Sequence, residues 1–157
     1  MDEREALIAI RDILRENLED PMFQWTGKTR NYIHDDDPLA QSTFPRIQIT
    51  QRGPSSSEII SCGCEFWEWY TVVFDIHFIT QLKFKWKDSN DNYLSDQNLC
   101  KAYATKIWDT IKAQCRTLKL ETGITGLKMM SKTTTKVDAD TQFQRGITSV
   151  RVWFFDK

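Results

Sequence analysis

Residues Glu65 to Leu82 read EFWEWYTVVFDIHFITQL, and this stretch decides the fold. Val72, Val73, Ile76 and Ile79 are β-branched, Phe66, Trp67, Trp69, Tyr70, Phe74 and Phe78 are aromatic, and no Gly or Pro interrupts them. Such a run predicts one long β-strand. Side chains two apart share a face, so Phe66, Tyr70, Val72, Phe74, Ile76 and Phe78 form a core face. Trp67, Trp69, Thr71, Val73, Asp75, His77 and Ile79 point the other way. A sheet wet on that side would carry polar residues at most of those positions. Two tryptophans and a valine there predict a second covered face, the cover being either a helix of the same chain or another subunit.

On the N-terminal side, Phe44 to Gln51 (FPRIQITQ) predicts a short strand with Ile47 and Ile49 inward, and Pro45 suits an edge position. Arg52 to Ser57 (RGPSSS) reads as a turn or mobile loop. Met22 to Thr43, with Gly27, the run Asp35-Asp36-Asp37 and Pro38, reads as a long loop that is functional or ordered by a partner, with Trp25 and Tyr32 as its anchors. Glu3 to Leu18 carries Leu7, Ile10, Leu14 and Leu18 on one stripe, an amphipathic helix capped by Asp2 and ended by Pro21.

On the C-terminal side, Lys83, Lys85 and Lys87 alternate with Phe84 and Trp86, and Asp88 to Asp96 is polar loop. Ser95 or Asp96 caps a helix whose apolar face runs from Leu99 through Cys100, Tyr103, Ala104, Ile107, Ile111 and Cys115 to about Leu118. Gly123 and Gly126 punctuate its exit. Leu127 to Val137 predicts a strand, Asp138 to Thr141 a turn, and Phe143 to Phe155 a closing strand. There Val150, Val152 and Phe154 face one way and Arg151, Trp153 and Phe155 the other. The expected fold is α+β: a single layer of mainly antiparallel sheet with two helices packed on it, in the order helix-strand-strand-helix-strand-strand.

The 157 residues suit one domain spanning 1–157, and shares of 40% hydrophobic and 27% charged residues are those of a globular chain. A net charge of −1 supplies no global field for nucleic acid or an anionic membrane. Acids precede the apolar residues of the N-terminus, unlike a secretory signal, and no 18-residue apolar run exists, so a soluble intracellular product is expected. Cys62 and Cys64 are one residue apart, too close for familiar metal spacing, and Cys100 and Cys115 are far apart on a predicted helix. Free thiols are therefore expected.

Asp88, Asn90 and Asn92 match the first three ligand positions of a calcium loop, but Tyr93 replaces the required Gly and Leu99 the bidentate Glu. His34 beside Asp35, Asp36 and Asp37, and His77 near Asp75, have metal-compatible types, yet a solvated acidic loop needs no ion. The glycines form no phosphate cradle, and neither histidine lies in a recognisable nucleophile context. No catalytic, cofactor-binding or metal-binding residue is expected, and the chain does not read as an enzyme. A second reading is a nucleic-acid-binding α+β module using Lys83, Lys85 and Lys87 with Phe84 and Trp86. Arg145 to Val152 begins like the RNA-recognition signature but lacks its stacking aromatics.

The N-terminal helix, Phe44-Pro45-Arg46-Ile47-Gln48-Ile49, the strand ending Phe74-Asp75-Ile76-His77-Phe78, the long helix, and Phe143-Gln144-Arg145-Gly146-Ile147 leading into Val150 to Phe155 together resemble tail terminator and tail completion (head-tail joining) proteins of long-tailed phages and related archaeal viruses. The resemblance implies a small α+β subunit that assembles into a hexameric ring, caps the tail tube and joins it to the head. Its partners would be copies of itself, a tail tube protein and a head-tail connector protein, with nucleic acid only as a genome passing through the ring. It would reside in the virion, and in host cytoplasm during assembly, with no membrane and no cofactor. The extra Trp67 and Trp69, the Cys62-Gly-Cys64 pair and the long Met22 to Thr43 loop depart from that pattern. The interface expected is Trp67, Trp69 and Trp153 buried against a neighbour or the second helix, with Arg145 and Arg151 making charged contacts. The alternative is that all five serve their own subunit.

Overall fold

Asp2 starts the first helix with a reciprocal capping box: its Oδ1 accepts the Glu5 N–H at 2.7 Å, and its own N–H donates to Glu5 Oε2 at 2.9 Å. A computed structural model of the chain describes residues 1–35, 44–62, 65–81, 86–88, 90–135 and 143–156. Its elements are α1 (Glu3–Asn17), α2 (Phe23–Thr26), β1 (Ile33–His34), β2 (Arg46–Gln51), β3 (Ser56–Cys62), β4 (Glu65–Gln81), β5 (Trp86–Lys87), β6 (Tyr93–Leu94), α3 (Asp96–Ala113), α4 (Cys115–Thr122), β7 (Ile124–Thr134) and β8 (Phe143–Asp156). The main sheet has the order β1-β2-β4-β8-β7, and β3 pairs with the first part of β4. Only β1–β2 is parallel among these pairs. β5 and β6 form a separate small hairpin.

The architecture is α+β with a mainly antiparallel sheet, as expected, and richer in elements. β4 forms over nearly the length read from the sequence, and the Ser95 hydroxyl caps α3 by accepting the Asn98 N–H. The long second helix is two helices: at Gln114 the chain leaves helical geometry, and α4 turns Leu118 into the core. Gly123, at φ +80°, closes α4 in the left-handed conformation that glycine adopts without steric cost. β3 occupies a stretch read partly as loop. The segment after Met22 contains α2 and β1, while residues 36–43, with Asp36, Asp37 and Pro38, lie outside the described residues. Tyr32 anchors that segment by donating from its buried hydroxyl to the Leu18 carbonyl, whereas Trp25 is 55% exposed. β2 is not an edge strand, because β1 and β4 flank it.

One face of the sheet carries the core. Val72, Phe74, Ile76 and Phe78 of β4 are buried with Val150, Val152 and Phe154 of β8, and with Ile10 and Leu14 of α1 and Ile107 and Ile111 of α3. Tyr103 of α3 stacks on Phe78 with ring centroids 4.2 Å apart. Thr148 of β8 donates to the Ala104 carbonyl at 2.9 Å, replacing the water its buried hydroxyl gave up. α3 runs so close to β8 that a Cβ at Gly146 would strike the Cys100 carbonyl oxygen. Cys100 and Cys115 are free thiols, and burial pushes the Cys100 thiol up to about 12. Among the described residues, no helix is long and apolar enough to cross a membrane.

Candidate functional site

Buried side chains of α1, α3 and α4, among them Ile10, Leu14, Ile107, Ile111 and Leu118, join the cluster on the Phe74 face, and the opposite face carries no helix among the described residues. Its composition follows from strand register. Trp69, Thr71, Val73, Asp75 and His77 of β4 stand beside Phe155, Trp153, Arg151, Ser149 and Ile147 of β8. Arg46, Gln48 and Thr50 of β2 extend the row on one side, and Gly126 and Lys128 of β7 on the other. Most of these side chains are half-buried by packing on each other.

Two aromatic pieces sit toward one end of this face. Trp69 and Phe155 pack with ring centroids 5.0 Å apart. Trp153 lies over Gly126, where an added Cβ would come within 2.9 Å of indole Cε3, so glycine is what lets the ring lie flat on β7. Trp67 shares the face by register, opposite Ile60 of β3, and its side chain lies outside the described residues. Because α3 packs on the other side, the second helix does not cover Trp69 or Trp153.

The centre of the face is polar and well connected. Arg52 grips Asp75 through two nitrogens, Nε to Oδ2 at 2.7 Å and Nη2 to Oδ1 at 2.6 Å. Ser149 donates to Asp75 Oδ1 at 2.6 Å and accepts from Arg52 at 2.8 Å. This bidentate geometry is the strong form of an ion pair, and it raises the Arg52 pKa. His77 Nε2 lies 3.1 Å from the Thr50 hydroxyl. Burial holds the His77 pKa below its ordinary value, Asp75 opposes this, and Arg145 and Arg52 reinforce it.

Beside this network the face is left unfinished. The buried polar atoms Trp69 Nε1, His77 Nδ1 and Arg151 Nε have no hydrogen-bond partner among the described residues. Arg151 stands opposite Lys128 in the β7–β8 ladder, a like-charge neighbour that disfavours the pair unless an anion or acceptor lies over it. Arg145 is exposed farther along β8. Of the five interface residues expected from sequence, Trp69, Trp153, Arg145 and Arg151 therefore share one face. The Arg52–Asp75–Ser149 network and Lys128 were missed. Asp75 between Val73 and His77 was the available signal, since a carboxylate on a packed face needs a cation.

Other sequence readings come out differently. Trp86 is fully buried, so it is a core residue and offers no stacking surface to a base. Lys83, Phe84 and Lys85 lie outside the described residues. Asp88 folds its own loop by accepting the N–H groups of Asn90 and Asn92 at 2.8 and 2.9 Å. Asp35, beside His34, pairs with Arg11 at 2.6 Å.

No family model and no curated protein matches the sequence. Among solved structures, a chain of one described as "Virion of native gene transfer agent (GTA) particle" is similar at 12% identity and TM-score 0.43, over 96% of this chain and 94% of that one.

Proposed function

We propose that this protein is a structural subunit of a phage-like virion that self-assembles into a ring, six subunits around, ending the tail tube and joining it to the head. The observation that carries the self-assembly is the face of the sheet that bears no helix among the described residues, with Trp69, Trp153 and Arg151 half-buried on it and three buried polar atoms that find no partner among those residues. Trp and Arg are the residues whose burial dominates protein interfaces. A buried N–H left unpaired costs about 1–3 kcal/mol, a cost that an acceptor on a neighbour removes. The tail-terminator assignment is supported by the sequence pattern from the N-terminal helix to the closing strand, and on that reading Trp67 and Arg145 join the same docking face. Work of this kind needs no catalytic residue.

Multi-angle light scattering of the wild-type chain at tens of micromolar should return a mass near six subunits, with rings in negative-stain images. Immunogold labelling of particles should mark the neck or tail end. A persistent monomer overturns the assembly, and rings without virion labelling overturn the location. Salt-sensitive binding of single-stranded nucleic acid by a monomer would favour the module reading instead.

A further inference from the structure

The open face is basic as well as unfinished. Once Arg52 and Asp75 have paired with each other, two cationic pairs remain on it. Arg46 and Arg145 flank Ile79 in one row, and farther along β8 Arg151 stands beside Lys128. The two pairs are roughly 20 Å apart at a strand's rise of about 3.3 Å per residue. Between them lies Ile147, half-buried on the same face. Glu58 and Glu65 share the face by register, but at the Trp69 end, beyond both pairs. Arg151 Nε and Trp69 Nε1 are donors, so what they lack among the described residues is an acceptor.

The helix layer on the other side divides by charge. Along α3 and α4, Lys101, Lys106, Lys112, Arg116 and Lys119 are exposed, with Asp109 among them, so these helices would repel the open face of another copy. α1 is the opposite. Glu5, Asp12 and Glu16 are exposed on one stripe of the helix, and Ile8 lies within that stripe, half-buried and apart from the core cluster. Of the arginines beside the stripe, Arg15 turns away to the Ile33 carbonyl at 2.7 Å, and Arg11 is shared between Asp35 at 2.6 Å and Asp12 at 2.9 Å. Glu16 makes no hydrogen bond or ion pair among the described residues, so its carboxylate is a ready acceptor. Glu5 and Glu16 lie roughly 17 Å apart at a helical rise of about 1.5 Å per residue, close to the separation of the two cationic pairs.

We infer that the open face of one copy takes α1 of a second copy, with Glu5 toward Arg46 and Arg145, Ile8 over Ile147, and Glu16 against Lys128 and Arg151 Nε. The inference rests on the self-assembly proposed above and names the surface that covers the face. Because α1 packs on the Phe74 side of its own sheet, stripe and open face occupy different patches of the molecule. The contact is therefore head-to-tail, the kind that closes rings rather than stopping at a two-fold dimer. The opposite charges at its two ends fix the direction in which α1 lies.

Combining Lys128→Glu with Arg145→Glu reverses the face, and combining Ile8→Lys with Glu16→Lys reverses the stripe. Lys128, Arg145 and Glu16 are exposed and Ile8 stands outside the core, so circular dichroism of both variants should match wild type. Each variant alone should fall to the mass of one subunit by light scattering. In an equimolar mixture the reversed stripe meets the reversed face and the unaltered stripe meets the unaltered face, so rings of alternating copies should return at the wild-type mass. A folded face or stripe variant that keeps the wild-type mass overturns this contact while leaving the assembly standing. Variants that dissociate and stay apart when mixed overturn the pairing of these two surfaces. A wild-type monomer overturns the assembly itself and this contact with it.

Discussion

At Gly146 a single hydrogen separates β8 from the backbone of α3, because a methyl there meets the Cys100 carbonyl oxygen. Neither partner yields easily, one being a strand and the other a helix. Gly146→Ala should therefore cost about 2–3 kcal/mol, read as a lower urea midpoint at unchanged m-value. His77 gives the chain a pH dependence of defined sign. Its folded pKa lies below its ordinary value, so on acidification the unfolded chain takes up the proton first. Stability is then full at neutral pH and falls as pH drops below about 6.5. His34, also lowered chiefly by burial, acts in the same direction. His77→Gln should flatten the acid-side slope of a stability-versus-pH curve without abolishing it; an unchanged slope would refute the assignment. Neither feature was legible in the sequence, where Gly146 was one glycine among six and His77 one polar residue in an apolar run.

Among the elements, β4 shows how one strand divides its work between two surfaces. Phe74 is fully buried beneath the helices, and its neighbour Val73 is half-buried on the helix-free face. Phe74→Ala should cost about 3–5 kcal/mol of stability, because the cavity it leaves is walled by core residues. Val73→Ala should cost about 1 kcal/mol, because fewer neighbours lose contacts. Thermal or urea unfolding of the two variants measures the difference, and equal losses would mean that both faces are core. The alternation in residues 65 to 82 was enough to place these two residues on opposite faces. It could not say which face the helices choose, since each looked apolar. β3 escaped notice because Ser56, Ser57 and Glu58 look like loop, and only pairing with the first residues of β4 makes them a strand.

For the whole molecule, the proposed assembly couples stability to concentration. A ring subunit that buries its open face against a neighbour gains free energy by mass action, so the thermal midpoint should rise with protein concentration. Combining Trp153→Ala with Arg151→Glu removes the aromatic surface and reverses the charge beside it. The midpoint of that double variant should not vary with concentration, and a residual rise equal to wild type would argue against this face. By itself, the sequence determined what is periodic and local: the two-faced strand, the capped first helix, the start of the second, and the residues that crowd each side of β4. Tertiary structure alone decided that α1, α3 and α4 all settle on the Phe74 side, that Trp86 belongs to the core, and that Trp69, Trp153, Arg145 and Arg151 share a face with the Arg52–Asp75–Ser149 network. The reason is physical. Alternation in a strand fixes the relative sides of its residues, but which side meets helix depends on contacts between residues far apart in the chain, whose energies no local pattern encodes.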